Sequence, residues 1–90
     1  MKVASRKLKI LNQRGLHARA AAKFVNIAGA FKASVDVCCG GTEVCGTSIM
    51  GLMMLAAGKD TIISIRAIGE DSEAAVEALT ALVLNRFDEI

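Results

Sequence analysis

The strand-like segments of this chain alternate polar and apolar residues, and this alternation constrains the fold more than any other feature. In residues 6–11, Leu8 and Ile10 fall on one side of the segment, while Lys7 and Lys9 fall on the other. A strand with this pattern buries one face and leaves the other in solvent. The helices must therefore form a single layer over one face of the sheet.

The rest of the chain completes the order β-α-β-β-α-β-α. Helices are predicted at residues 17–28, from Thr47 or Ser48 to Leu55 or Ala57, and at 72–87, and further strands at 32–37, 42–45 and 61–67. Gly29 is expected to end the first helix as a C′ glycine, and Gly40-Gly41 predicts a two-residue hairpin. Right-handed crossovers place the last strand between the first two. We predict an α+β open-faced β-sandwich, in which three helices cover one face of a four-stranded antiparallel sheet, as a single domain over residues 1–90.

Apolar residues recur at helical spacing in the first and last helices, and these stripes are expected to face the sheet. The stripe of the first helix is Ala18, Ala21, Ala22, Val25 and Ala28, and that of the last is Ala75, Val76, Leu79, Leu82, Val83 and Phe87.

The second helix is apolar on both sides. Its helical wheel has Leu52, Leu55 and Ala56 on one side, and Ile49, Met50 and Met53 on the other with Met54 beside them. Hydrophobic residues make up 53% of the 90 positions, yet so short a chain has room for one core and hardly for a deep cleft. We therefore expect Ile49, Met50 and Met53 to form an exposed docking surface for another protein. The alternative is a helix that is buried all round.

Charge and hydropathy exclude several function classes. The longest uncharged stretch, residues 44–58, is too short for a membrane-spanning helix of about 20 residues. The charged amino terminus has no secretory signal, so a cytoplasmic location is expected. The net charge of +2 and the scarcity of aromatic residues argue against a nucleic-acid partner. Residues 1–32 contain eight Lys or Arg and no acid, which favours phosphate or an acidic protein as the partner.

The three cysteines give no sign of a metal site or a disulfide. Their spacing contains no C-x-x-C, and a zinc site would need the distant His17. The predicted hairpin sets Cys39 opposite Thr42, Cys38 opposite Glu43 and Cys45 opposite Asp36, so no two thiols face each other. Reduced thiols without a chemical role are expected.

The only histidine, His17, follows a glycine-containing loop and begins a helix. The first amides of a helix lack acceptors and carry partial positive charge, so they favour an anion such as phosphate. A neutral imidazole is a nucleophile near physiological pH. A phosphoryl group on its ring would lie among the amides of Ala18 and Arg19 and the Arg19 guanidinium, with Arg14 and Lys23 nearby. The alternative is a partly exposed histidine without chemistry.

An enzyme would need a second general acid or base beside His17. The nearest acid that follows it in sequence is Asp36. No catalytic pair is therefore expected at this position.

Two segments carry a resemblance to a known family. Residues 15–25 read Gly-Leu-His-Ala-Arg-Ala-Ala-Ala-Lys-Phe-Val, and residues 47–56 read Thr-Ser-Ile-Met-Gly-Leu-Met-Met-Leu-Ala. They are similar to the active-site and regulatory-serine segments of the HPr family, the histidine phosphocarriers of the bacterial phosphoenolpyruvate-dependent phosphotransferase system. The resemblance covers essentially the whole chain, with the same order of elements.

The resemblance implies a phosphocarrier rather than an enzyme. His17 matches the histidine that accepts a phosphoryl group from enzyme I on Nδ1 and passes it to a IIA-type protein. Arg19 matches the arginine that steadies this group, and Ser48 matches the serine that an HPr kinase/phosphorylase modifies in some members. The residues that match the family's docking positions are Ile49, Met50 and Met53. The family further implies a cytoplasmic monomer with no cofactor, metal, nucleic-acid partner or membrane insertion.

One departure and two alternatives remain. The family has Pro where this chain has Ala20; alanine keeps the helix and adds a free amide, so phosphate chemistry should survive. The alanine-rich helix start, together with Ser-Ile-Met-Gly-Leu-Met-Met-Leu at residues 48–55, is more similar to the nitrogen-type branch or to proteobacterial regulatory versions than to the standard sugar carrier. Sugar uptake and nitrogen-type regulation both stay open. The alternatives are a regulatory module that binds a partner through residues 49–53 without chemistry at His17, and a ferredoxin-like nucleic-acid binder. The scarcity of aromatic residues disfavours the second.

Overall fold

A computed structural model describes residues 2–89 as one sheet with helices on one side. The elements are β1 (Val3–Lys9), α1 (Ala18–Ala28), β2 (Ser34–Cys39), β3 (Thr42–Cys45), α2 (Ile49–Met54), β4 (Ile62–Ile68) and α3 (Ser72–Leu84), followed by a 3-10 turn at Arg86–Asp88. The sheet is antiparallel in the order β1-β4-β2-β3. The predicted open-faced sandwich and the insertion of the last strand between the first two are both confirmed.

The hairpin between β2 and β3 has the predicted register. Its pairs are Cys39 with Thr42, Cys38 with Glu43, Val37 with Val44 and Asp36 with Cys45. Gly40 and Gly41 both have positive φ, 54° and 85°, as a two-residue turn of the primed type requires. The three cysteines are free thiols.

The hydrophobic core lies between the sheet and the helices, and Phe24 is at its centre with no exposed surface. The predicted stripe of α3 is buried throughout. The predicted stripe of α1 is wrong in part, because Ala18 is exposed and the buried positions are Ala20, Ala21, Phe24 and Ala28. Phe24 is the largest side chain on α1, so its burial contributes most to the packing of this helix. The helix is therefore rotated about its axis so that Phe24 faces the core and Ala18 faces solvent.

The helix ends differ from the predicted bounds. α2 stops at Met54, before Ala56, which is exposed and has a φ of 52°. Ala57 is buried in place of Ala56, and its carbonyl accepts a hydrogen bond of 2.9 Å from the Leu16 amide. This bond holds Ala57 at a position that a continued helix would not reach, so α2 ends at Met54. α3 ends at Leu84 rather than residue 87.

Gly29 ends α1 as predicted, but not in the left-handed conformation of a C′ glycine. Its φ is −75°, and its amide donates to the carbonyl of Val25 at 2.9 Å. The last turn of α1 is therefore right-handed to its end. Among the helices between residues 2 and 89, none is long and apolar enough to cross a membrane.

Gly15 permits a close backbone contact that holds the start of α1 in place. Its φ is 64°, and a Cβ here would overlap the carbonyl oxygen of Ala57 and lie 2.8 Å from Cα of Gly58. The adjacent Leu16 amide makes the bond to Ala57 described above. The loop before α1 is therefore packed directly on the loop after α2.

Substitution of Gly15 by alanine is expected to lower the free energy of unfolding by about 3 kcal/mol, since a left-handed alanine costs about 1 kcal/mol and the overlap adds about 1–3 kcal/mol. Gly40→Ala is the matched control, because Gly40 also has positive φ but nothing lies within 4 Å of an added Cβ. Urea denaturation of both variants gives the two values. Equal losses would show that the Gly15 contact is not tight.

Candidate functional site

His17 lies at the N-terminal cap of α1 in an extended conformation, with φ −74° and ψ 177°. Its carbonyl accepts the first helical hydrogen bond, from the Ala21 amide at 2.8 Å. Its side chain makes no capping bond, and the first turn contains no acidic residue. The amides of Ala18, Arg19 and Ala20 thus have no acceptor within the helix. The positive end of α1 is open beside the imidazole.

The imidazole lies at the edge of a shallow cleft of about 470 Å³. The cleft is lined by Gln13, Arg14, His17, Arg19, Lys23, Phe87, Asp88 and Glu89. The His17 side chain is 18% exposed, so one part of the ring is accessible while the rest is packed. The structure therefore brings together His17, Ala18 and Arg19 with the predicted cations Arg14 and Lys23.

Two acids that the sequence did not connect with His17 lie in the same cleft. Glu89 Oε2 is 3.8 Å from His17 Nε2, and Asp88 Oδ2 is 2.9 Å from Lys23 Nζ. The expectation that no acid lies beside His17 is therefore wrong. It failed because the acids come from the far end of the chain, 72 positions away from His17 in sequence in the case of Glu89.

The chain reaches the cleft through a left-handed turn. Arg86, Phe87 and Asp88 have φ values of 57°, 53° and 60°, and Phe87 is buried. Burial of a phenylalanine stabilises a fold by about 1.5–3 kcal/mol, which offsets part of the cost of three left-handed residues at about 1–2 kcal/mol each. The sequence contained one signal of this arrangement, which is that Phe87 continued the apolar stripe of α3.

The Glu89 carboxylate is fixed by three donors from the loop before α1. The side-chain amide of Asn12 donates to Oε2 at 2.9 Å, and the backbone amides of Gln13 and Arg14 donate at 3.0 and 3.3 Å. The Asn12 hydrogen bond is the main reason why the pKa of Glu89 lies below its usual value, with a smaller opposing effect of burial. Asn12 also donates to the carbonyl of Gly15 at 2.9 Å.

The pKa of Asp88 is also lowered, chiefly by its hydrogen bond from Lys23, then by that from Asn85 and by the charge of Lys23. Both carboxylates are therefore ionised at neutral pH. Their contacts contribute to folding above the pKa values of the unfolded chain, and this contribution is lost as the pH falls through the lowered values of the folded state.

Ser48 and the apolar surface lie on α2, which packs against α1. Ser48 is the N-cap of α2, and its Oγ accepts a hydrogen bond of 3.0 Å from the Gly51 amide. Ile49 and Met53 are each 41% exposed, and Met50 and Met54 are 70% and 76% exposed. Leu52 is fully buried. The predicted exposure of these side chains is thus observed, and their docking role stays a prediction.

Residues 2–89 contain no group of three or more His, Cys, Asp or Glu side chains that could hold a metal ion. The groups available in the cleft are one imidazole, three cations, two carboxylates and the free amides at the start of α1. The cations and free amides suit the binding of an anion. The imidazole beside them can act as a nucleophile.

Comparison with known proteins identifies relatives along nearly the whole chain. A family model described as the PTS HPr component phosphorylation site matches residues 4–85. The phosphocarrier protein HPr of Pseudomonas putida is 49% identical over 86 residues, which cover 94% of this chain and 96% of that protein. The phosphocarrier protein NPr of Shewanella violacea is 39% identical over 84 residues, which cover 93% and 92% of the two chains.

Solved structures match the fold as well. HPr-C-His from Thermoanaerobacter tengcongensis superposes with a TM-score of 0.89 at 37% identity, over all of this chain and 99% of that chain. A structure of the HPr dimer from the same organism has a TM-score of 0.77 at 38% identity, over 91% and 94%.

The match of the family model over residues 4–85 and the identity to the Pseudomonas putida protein agree with the four-stranded sheet and with the histidine at the cap of α1. This chain belongs to the HPr family of the phosphotransferase system.

Proposed function

We propose that this protein is a phosphocarrier that accepts a phosphoryl group on His17 from phosphorylated enzyme I and passes it to a IIA-type protein. The observation that supports this most directly is the imidazole at the open N-terminus of α1, within a cleft lined by Arg14, Arg19 and Lys23. A cytoplasmic monomer that carries the group without turning over a small molecule is part of the proposal.

The transfer uses positioning and charge rather than a second catalytic base. The lone pair of Nδ1 attacks the phosphorus atom of the donor phosphohistidine, and the bond from phosphorus to the donor ring breaks. The phosphoryl oxygens then lie near the amides of Ala18 and Arg19 and the forked donors of the Arg19 guanidinium. Positioning and electrostatic stabilisation supply most of the rate in phosphoryl transfer. The same steps in reverse order deliver the group to the acceptor.

The shallow cleft supports docking of a protein rather than a small substrate. Donor and acceptor must each bring a histidine to the ring of His17, and a deep pocket would prevent this. The exposed side chains of Ile49, Met50 and Met53 lie on α2, the neighbour of α1, and give both partners an apolar surface to cover. The basic residues near His17 favour partners with acidic surfaces.

Ser48 is proposed as a second phosphorylation site, modified by an HPr kinase/phosphorylase. Its Oγ lies at the positive end of α2, next to Ile49 and Met50. A phosphate there would add about two negative charges to the docking surface and repel an acidic partner. The acceptor protein distinguishes sugar uptake from nitrogen-type regulation. Offering the phosphorylated chain IIA proteins of both types identifies this acceptor.

Phosphorylation by phosphoenolpyruvate and enzyme I is expected to give an acid-labile, base-stable phosphate that is absent in His17→Ala. Arg19→Ala should slow the transfer about 10- to 100-fold, since a charge-assisted pair is worth about 1.5–3 kcal/mol. Arg66→Ala is the control, because it removes the same charge from an exposed position on β4. Full labelling of His17→Ala would overturn the proposal. Equal transfer rates for the two arginine variants would show that Arg19 does not contribute to the transfer.

Met50→Glu is expected to weaken binding of enzyme I about tenfold or more, because it puts a charge into an apolar docking surface. Its melting temperature should change little, since Met50 is exposed. Leu84→Glu is the matched control, an apolar residue 56% exposed on α3. Calorimetric titration with enzyme I measures the affinities, and a normal affinity of Met50→Glu would exclude this surface as the docking site.

A cognate kinase with ATP is expected to produce an acid-stable phosphoserine that is lost in Ser48→Ala. Ser48→Asp should slow labelling of His17 by enzyme I several-fold through repulsion. Ser34→Asp is the control, since it adds the same charge at an exposed position on β2. Absence of a phosphoserine with the organism's own kinase would leave Ser48 as a helix cap, worth about 1 kcal/mol.

A further inference from the structure

The Glu89 carboxylate faces the ring nitrogen of His17 that the proposed transfer does not use. Its Oε2 is 3.8 Å from Nε2, an ion-pair distance and longer than a hydrogen bond. Contacts of this kind in unliganded sites often shorten when the reacting partners bind. Among the residues from 2 to 89, Nδ1 takes part in no hydrogen bond or ion pair that would occupy its lone pair.

The position of this carboxylate is fixed rather than accidental. Three donors hold it, namely the side-chain amide of Asn12 and the backbone amides of Gln13 and Arg14. All three belong to the loop that leads into His17. The same loop is tied to the carbonyl of Ala57 through the Leu16 amide. The loop that leads into His17 therefore holds the Glu89 carboxylate and is itself fixed to the loop after α2.

The other charged groups around the ring have different roles. Arg14, Arg19 and Lys23 line the cleft and are cations, as a phosphoryl group requires. Asp88 is the second acid, but it is paired with Lys23 at 2.9 Å and also accepts from Asn85. Among residues 2–89, Glu89 is thus the acid that lies within ion-pair distance of the imidazole.

We infer that Glu89 is a positioning residue for phosphoryl transfer at His17, which it serves by keeping the proton on Nε2 and the lone pair on Nδ1. This inference rests on the function proposed above and names a residue that acts through His17. A negative charge beside Nε2 favours the tautomer with hydrogen on that nitrogen, as the carboxylate partners of histidines do in other sites.

The charges balance through the whole step. Before transfer, His17 is neutral with hydrogen on Nε2, and the donor ring carries the phosphoryl group and one positive charge. The Nδ1 lone pair forms the new bond to phosphorus, and the electrons of the broken bond return to the donor ring, which becomes neutral. The ring of His17 now carries the positive charge and retains its Nε2 proton. The Glu89 carboxylate stabilises this positively charged ring. The phosphoryl group can then leave readily, because the ring that it leaves becomes neutral.

The test compares Glu89→Gln with Asp88→Asn, which removes an equal charge one residue away. Nitrogen-15 NMR of the free protein reports the fraction of His17 with hydrogen on Nε2. Phosphoramidate, which phosphorylates histidine directly, then gives the phosphorylated chain without enzyme I. We expect Glu89→Gln to lower the Nε2–H fraction of His17 and to slow hydrolysis of its phosphohistidine about threefold at fixed pH. Asp88→Asn should cause much smaller changes.

A third variant separates charge from loop structure. Asn12→Ala removes one of the three hydrogen bonds to the carboxylate but keeps its charge, so its effect should have the same direction as that of Glu89→Gln and be smaller. If Asn12→Ala has a larger effect than Glu89→Gln, or if Glu89→Gln and Asp88→Asn behave alike, Glu89 is only a loop contact and the inference is wrong. These measurements need no donor protein, so a failure of enzyme I to label the chain would overturn the proposed function separately.

Discussion

The contact between the loop before α1 and the loop after α2 is the constraint on which the rest of the structure depends. Gly15 lies against the backbone of Ala57 and Gly58, where no side chain fits, and the Leu16 amide donates to the Ala57 carbonyl. This contact fixes where α1 begins and ends α2 after six residues. The reactive histidine and the exposed side of α2 are thereby set side by side on a core built around Phe24.

Charge in the site is distributed between the two ends of the chain. The first third contributes the cations and the helix end, and the last residues contribute the acids that partly neutralise them. Because Lys23 is paired with Asp88, Arg19 and the free amides of α1 are the groups that would contact an incoming phosphate. A fully cationic cleft would bind phosphate tightly, whereas a carrier must also release it. In the proposed function, Asp88 and Glu89 would keep phosphate binding between these limits.

Much of this arrangement could be predicted from local sequence pattern. Alternation in the strands, the Gly40-Gly41 turn and the stripe of α3 predicted the elements and the register of the β2–β3 hairpin, because each depends on neighbours in sequence. The sheet order followed from the right-handed crossover rule. The rotation of α1 could not be found in the same way, since the burial of Phe24 depends on the opposite wall of the core. Glu89 was missed because its approach to His17 depends on three left-handed residues without glycine, a conformation that no local propensity favours. The candidate residues His17, Arg19 and Ser48 were identified from two sequence motifs, and their chemical roles stay predictions.

The exposed sulfur atoms of α2 have a consequence of their own. Met50 and Met54 present most of their surface to solvent, and methionine side chains in such positions are readily oxidised to sulfoxides. A sulfoxide is polar and less flexible in its packing, so it would turn an adaptable apolar surface into one that partners cover poorly. Oxidative stress would then weaken docking while leaving the core and the histidine intact. The exposed methionines that would let the proposed docking surface adapt to more than one partner would also make it sensitive to the redox state of its surroundings.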